Sequence, residues 1–129
     1  MPKFTLTEKT FSNRLGRDVT PGEIVECPVD WMMFPEGSFK MAMDALSDLG
    51  KPVAHPEKVA VIFDHYCPPT TIQTAEIQAA ARKFAAKSGI KNIFDCGSGV
   101  CHQVFCEEGF AKPGSIIIGG DSHTTTYGA

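Results

Sequence analysis

Two apolar runs dominate the second half of the chain: Lys58-Val59-Ala60-Val61-Ile62-Phe63 and Ser115-Ile116-Ile117-Ile118. Both are continuous rather than alternating, rich in β-branched residues, and too short for a helix. That pattern predicts strands buried on both faces, as in a parallel sheet, with the later run the clearest buried strand of all. Asn92-Ile93-Phe94-Asp95 reads as a third, shorter strand. Between these runs the period changes. From Ile72 to Lys87, Ile77, Ala80, Ala81 and Phe84 share one face, and Ser88-Gly89 ends the helix. Val100 to Glu108 reads as a second helix, and Pro113-Gly114 turns the chain into the last strand.

The first half is less regular. Thr5-Leu6-Thr7-Glu8 has the form of a capping box and predicts a helix from about residue 5 to 15, stopping near Gly16. Thr20-Pro21-Gly22 is a turn. Ile24-Val25-Glu26-Cys27-Pro28-Val29 is expected to be a short strand, at an edge or ending there, because Pro28 has no N–H to give a ladder. Ser38 is a candidate cap for a helix carrying Phe39, Met43, Leu46 and Leu49, closed by Gly50. Strand–helix–strand–helix–strand order implies an α/β fold with a parallel sheet and right-handed crossovers. The three or four strands expected are fewer than the usual five to six.

Composition narrows the functional classes. The 129 residues suit one domain, and 43% hydrophobic with 21% charged residues is a globular balance. A net charge of -3 disfavours a phosphate-neutralising nucleic-acid binder. No apolar run approaches the roughly 20 residues of a membrane span. The opening Met1-Pro2-Lys3-Phe4-Thr5-Leu6 lacks an apolar core and a cleavage site, so no export signal is expected. Five cysteines is an odd number, and with no export signal they are expected to be free thiols in a reducing, cytoplasmic setting.

The polar residues with chemistry in them cluster after strands. Asp64-His65 follows the first buried run, and Asp121-Ser122-His123 follows the last one across Gly119-Gly120. His102 lies between, after Gly97-Ser98-Gly99. In an open parallel sheet, ligands bind beyond the carboxyl ends of the strands. These groups are therefore expected to converge at one rim. Any one of them alone reads as well as a helix cap or loop hydrogen-bond partner. Two Asp/His clusters with a third histidine between them favour acid–base chemistry: an aspartate orients an imidazole and favours its charged form, and such a ring can protonate a leaving hydroxyl. Ser122 is not in a Gly-x-Ser-x-Gly elbow and is better suited to a substrate hydrogen bond than to nucleophilic attack. Thr124, Thr125 and Thr126 read as helix caps, and His55 as a solvated loop residue. Cys96, Cys101 and Cys106 are spaced by five, with no C-x-x-C pair. On a helix, the last two would lie about 140° apart, so a metal centre built on these three is not expected.

Gly120-Asp121-Ser122-His123-Thr124, Asp64-His65 and Gly99-Val100-Cys101-His102-Gln103 occur in the order and approximate spacing of the aconitase superfamily. Within it, the chain resembles the large subunits of 3-isopropylmalate dehydratase and homoaconitase-type hydro-lyases. Thr125-Thr126-Tyr127-Gly128-Ala129 and the opening Thr5-Leu6-Thr7-Glu8-Lys9 look like that branch too. The resemblance covers nearly the whole chain. It implies a three-layer α/β, aconitase-like domain, of which residues 1–129 would be the N-terminal portion. The cluster-ligand region and swivel domain would be absent, leaving the fold incomplete.

The resemblance further implies reversible dehydration and hydration of a 2-hydroxy di- or tricarboxylic acid at a [4Fe-4S] cluster, with a small swivel subunit as partner. Carried over, His65 resembles the acid that protonates the departing hydroxyl, with Asp64 as its partner. His102 resembles the histidine paired with Asp121, Ser122 a substrate-contacting serine, and His123 a histidine near the cluster. The departures are specific. The family's cluster cysteines, substrate arginines and base serine are not found here, and Pro35 stands where the family usually has a substrate-contacting Gln or His. The isolated chain is accordingly expected to be inactive. Two other readings stay open. One is an Asp/His lyase or hydrolase holding a mononuclear metal with His65, His102, Asp121 and His123. The other is a non-catalytic remnant or binding module.

Overall fold

One of the two inner strands of the sheet is not one of the strong β-branched runs. In the computed structural model, which describes residues 4–129, it is Trp31–Pro35 (β1), which begins two positions after the expected Ile24–Val29 strand would end. The earlier run makes no ladder, and Ile24 is 99% exposed. The physical reason lies in the two stretches themselves. Residues 24–29 offer two separated apolar pairs and a Pro without an N–H, whereas Trp31-Met32-Met33-Phe34 is apolar throughout and keeps its donors until Pro35 ends it.

The remaining elements follow the predicted order. The helix Leu6–Leu15 (α1) begins at Thr5, whose side chain accepts from Glu8 N while Glu8 accepts from Thr5 N, and it ends at Gly16. Helix Glu36–Leu49 (α2) starts straight off β1. Its N-cap is Pro35, not Ser38, whose hydroxyl donates to Pro35 O. It closes at Gly50, left-handed at φ 59°. Then come Val59–Ile62 (β2), Ile72–Ser88 (α3), Asn92–Phe94 (β3), Cys101–Glu107 (α4), Ile117–Gly119 (β4) and a 3-10 turn over Thr124–Gly128. Met1–Lys3, part of the opening read for an export signal, lie outside the described residues. Among those described, no helix is long and apolar enough to cross a membrane.

The four strands are all parallel, in the order β3-β2-β1-β4. Chain order therefore moves outward from β1 to β3, and α4 carries the chain back to the far side of β1. The pleat divides β2 between two cores. Val59, Val61 and Phe63 pack with Phe39 and Met43 of α2 and Ala81 and Ala85 of α3. Ala60 and Ile62 pack with Cys101, Val104 and Phe105 of α4. Helices thus cover both faces, giving the α/β class and the layering expected. β4 departs from expectation: it is an edge strand, and Ile118 is 51% exposed rather than fully buried.

The free-thiol expectation fails for two cysteines. Cys67, after β2, and Cys96, after β3, form a disulfide with Cα atoms 5.3 Å apart. Adjacent parallel strands bring their exits side by side, so residues separated by 29 positions meet. Cys27, Cys101 and Cys106 remain free. Buried Cys101 and exposed Cys106 do lie on different sides of α4.

Ladder hydrogen bonds run one step past the strands and aim the next residues. Gly120 N donates to Met33 O at 2.9 Å, and Phe63 N to Phe94 O at 2.9 Å. Asp121 and Asp64 therefore both leave the sheet at its carboxyl edge, Asp64 two residues further along than Asp121 in the register. At Gly120 a Cβ would lie 2.5 Å from Ser38 Oγ and 2.8 Å from a Phe34 ring carbon. Gly120→Ala is expected to cost about 1–3 kcal/mol, the usual range for overpacking. Urea unfolding would show it as a lower midpoint at unchanged slope; an unchanged midpoint would mean that this close approach does not matter.

Candidate functional site

Four side chains expected at one rim meet there. Asp64 stands one residue past the β2 ladder, and its two oxygens are both used. Oδ1 faces His65 Nδ1 at 2.6 Å, and Oδ2 accepts the Cys101 N–H at 2.7 Å. The second bond ties the β2 exit to the start of α4, one residue before His102. His102 then reaches across with Nε2 2.7 Å from Asp121 Oδ1. Asp121 Oδ2 lies 3.1 Å from His65 Nε2, and Oδ1 also accepts the His123 N–H at 2.7 Å. The result is one continuous chain: Asp64, His65, Asp121, His102.

Because a carboxylate can only accept, Nε2 of His102 carries the proton in its bond to Asp121. His65 has a carboxylate at each ring nitrogen. Its pKa is raised, first by the hydrogen bond to Asp64, against partial burial, and then by the charges of Asp64 and Asp121. Burial pushes Asp64 upward, but the Cys101 N–H and the His65 ring outweigh it and the net direction is down. Asp121 is held down to about 2, chiefly by the His123 N–H against burial, with His102 next. Its side chain is only 8% exposed. His65, at 46%, is the member of the chain most open to solvent.

Ser122 and His123 sit further out. Ser122 Oγ lies 3.1 Å from His123 Nδ1, and the His123 side chain is 79% exposed, its ring centroid 6.3 Å from that of His102. His123 Nδ1 also lies 3.6 Å from Asp121 Oδ1, so His123 joins the chain of paired groups by proximity rather than by a hydrogen bond, and Ser122 borders it. The threonines cap no α-helix: Thr124 Oγ1 donates to Asp121 O and Thr126 Oγ1 to His123 O, shaping the 3-10 turn. His55 is exposed on the opposite edge beside Glu57, as expected.

Three features escaped the residue-by-residue reading. Glu36 is fully buried and accepts the N–H groups of Asp64 at 3.2 Å and Tyr66 at 2.6 Å. Gln78, also buried, donates to Tyr66 O at 2.8 Å and touches the Cys96 sulfur at 3.3 Å. Tyr127 packs on His102 with ring centroids 5.6 Å apart. Glu36 stands directly after a strand, the same signal that picked out Asp64 and Asp121. It was hidden because the strand was expected at residues 24–29.

Two groups of three place candidate donor atoms within 4.8 Å: His102, Asp121 and His123, and Glu36, Asp64 and His65. The expected mononuclear set is therefore split, with His65 in the second group. Several of these atoms are already hydrogen-bonded: Asp64 Oδ1 with His65 Nδ1, Asp121 Oδ1 with His102 Nε2, Glu36 with two backbone N–H groups and His123 Nδ1 with Ser122 Oγ, while buried His102 Nδ1 has no partner among the described residues. No cysteine sulfur belongs to either group among the described residues. Cys101, whose thiol burial pushes up to about 12, points into the core.

Comparison with known proteins agrees with the motif. The aconitase family (aconitate hydratase) model matches residues 8–129. A protein named probable methanogen homoaconitase large subunit, from Methanothermobacter thermautotrophicus, is 45% identical over 100% of this chain and 32% of its own length. The 3-isopropylmalate dehydratase large subunit of Methanoregula boonei is 43% identical over 97% of the chain and 30% of its own. The homoaconitase large subunit of Thermus thermophilus is 41% identical over 97% and 30%. The chain spans about a third of the length of these relatives. A match that begins in α1 and runs through the Asp121 motif leaves one assignment: the chain belongs to the aconitase family.

Proposed function

We propose that this chain contributes the acid side of a hydro-lyase acting on a 2-hydroxy di- or tricarboxylic acid, such as 3-isopropylmalate or homocitrate. On this reading it is the N-terminal portion of a cytoplasmic large subunit that works with a small subunit. The single observation that carries it is His65 held between Asp64 and Asp121 at the carboxyl edge of the sheet. Relatives named as homoaconitase and isopropylmalate dehydratase large subunits support the substrate class.

The proton step follows from the two unequal contacts of His65. Nδ1 is fixed to Asp64 at 2.6 Å, while Nε2 meets Asp121 at the longer 3.1 Å and is the end that can turn to a substrate. Nε2–H gives its proton to the hydroxyl oxygen as the C–O bond breaks; the bonding pair leaves with oxygen, and water departs. The adjacent C–H pair becomes the C=C bond, its proton going to a base outside the described residues. Asp64 holds the vacated ring through Nδ1–H, and His102 keeps Asp121 in its orientation. Ser122 borders this space with a hydroxyl suited to a substrate oxygen.

Enzymes of this family generally use a [4Fe-4S] cluster, which supplies Lewis acidity toward the substrate oxygen. Three converging thiolates are the usual holders. The residues described here do not fit that need: Cys67 and Cys96 are bonded together, Cys101 is in the core, Cys106 is exposed on α4, and Cys27 lies before β1. The ligands would have to come from polypeptide outside these 129 residues.

Three outcomes test the proposal. Treated anaerobically with iron and sulfide, this chain alone is expected to stay colourless and without dehydratase activity; a brown, active product would overturn the cluster reading. In the assembled large and small subunits, His65→Asn should lower kcat about 100- to 10,000-fold, the range of general acid catalysis. Full turnover in that variant would remove His65 from the mechanism. The pH profile carries a sign. Dehydration needs protonated His65, so its rate should fall as pH rises through a value above the ordinary 6.5. Asp64→Asn removes the largest cause of that elevation and should move this alkaline limb to lower pH. An unmoved limb would mean another group donates the proton.

A further inference from the structure

The mechanism above has no use for Glu36, yet the chain buries it completely where β1 passes into α2. Burying a carboxylate costs several kcal/mol unless strong partners replace its water. Among the described residues, no basic side chain forms an ion pair with it. Its partners are two backbone donors, and their placement is specific. Oε2 takes the N–H of Asp64 and Oε1 the N–H of Tyr66, at 3.2 Å and 2.6 Å. Those are the backbone amides of the two residues that flank His65.

From the structure we infer that Glu36 is a positioning residue for His65: it clamps the backbone on both sides of that ring and so sets the ring between Asp64 and Asp121. Three further contacts bear this out. Gln78 donates to Tyr66 O at 2.8 Å and reaches Glu36 Oε1 at 3.5 Å, bracing the clamp from α3. Gly37 follows Glu36, and a Cβ there would come within 3.3 Å of the Tyr66 hydroxyl, so the loop sits directly against the start of α2. From Asp64 the connection continues to His65 Nδ1 at 2.6 Å, and from His65 Nε2 to Asp121 at 3.1 Å. A carboxylate at the start of α2, directly after β1, is thereby linked, bond by bond, to the second residue after β4.

Two fixed amides matter because His65 is 46% exposed and has little packing of its own. A ring on a loose loop would meet Asp64 but would have no reason to hold Nε2 toward Asp121. A neutral amide at position 36 cannot reproduce the clamp. It has one acceptor oxygen, and its NH2 would face the second backbone N–H, donor against donor. The inference rests on the reading of His65 as the acid, but its test does not involve turnover.

The test is NMR on the chain labelled with 15N, comparing wild type, Glu36→Gln and Glu36→Asp. In the wild type, the Asp64 and Tyr66 amides should exchange slowly, and His65 Nδ1–H should give a downfield, slowly exchanging ring resonance. In Glu36→Gln, protection of these amides should drop by about tenfold or more, the scale of one lost hydrogen bond to a charged group. The His65 ring resonance should move or vanish, while the His102 Nε2–H resonance stays. Glu36→Asp, one methylene shorter but with both acceptors, should recover part of the His65 signal. An unchanged His65 resonance in folded Glu36→Gln would overturn the inference. Should that variant not fold, the wild-type exchange decides: amides at 64 and 66 exchanging as fast as an exposed loop would overturn it equally. An assembled enzyme without hydro-lyase activity would end the proposed function and leave this result standing.

Discussion

One carboxylate is shared by everything at the rim. Asp121 accepts from the rings of His65 and His102 and from the His123 backbone at once. Since an ionised carboxylate has about four lone-pair positions, three bonds nearly fill it. That satisfies a group only 8% exposed, and it also explains why its acidity is so strong, with a pKa of about 2. Protonating it would put a donor where three donors already point. Over the ordinary pH range Asp121 is therefore a fixed negative charge, and it helps to raise the pKa of His65.

The sheet makes that sharing possible, through its topology more than its size. β1 is flanked by β2, the next strand in the chain, and by β4, the last. The exits of these three strands supply Glu36, Asp64 and Asp121, and α4, crossing on the other face, supplies His102. Parallel strands put all their carboxyl ends on one side, so four residues spread over more than 80 positions need only be adjacent to a strand or helix end to meet. The close approaches at Gly119 and Gly120 belong to the same logic. Thr124 and Tyr127 occupy the space a side chain at 119 would need, and Ser38 and Phe34 the space at 120. β4 can then lie tight against β1 although it is short and half open to solvent.

How much of this the chain announces depends on the range of the interaction. Local signals were plain: Thr5 and Glu8 form their capping box, Gly50 ends α2 in the left-handed region, and Phe39, Met43 and Ala81 face the core. The run from Val59 to Phe63 reads as buried because neighbours cover both its faces. The run at Ile116–Ile118 looks at least as apolar but lies at an edge, and apolar content cannot say how many neighbours a strand has. β1 was misplaced for a related reason. Ile24-Val25 is β-prone but isolated, while Met32 and Met33 are weak strand formers that win by packing. Asp64, His65, His102 and Asp121 were legible as a set at strand ends; Glu36 was not, because its strand was not. The Cys67–Cys96 bond was out of reach, since spacing alone cannot tell which strand exits lie side by side.

The polar groups beneath the rim show why a protein would keep them despite their cost. Gln78, Glu36 and the Cys67–Cys96 bridge lie together under the loop that carries His65. A purely apolar layer there would be cheaper to bury. It would, however, offer no directional contact to peptide groups, and a loop lying on it could slide. Each hydrogen bond to Asp64 N, Tyr66 N and Tyr66 O removes one such freedom, and the disulfide removes another by joining the exits of β2 and β3. Under the proposed function, the His65 imidazole would have to be held to within about half an ångström of its productive position. A half-exposed ring on a short loop cannot get that precision from packing, so it has to come from the polar layer below.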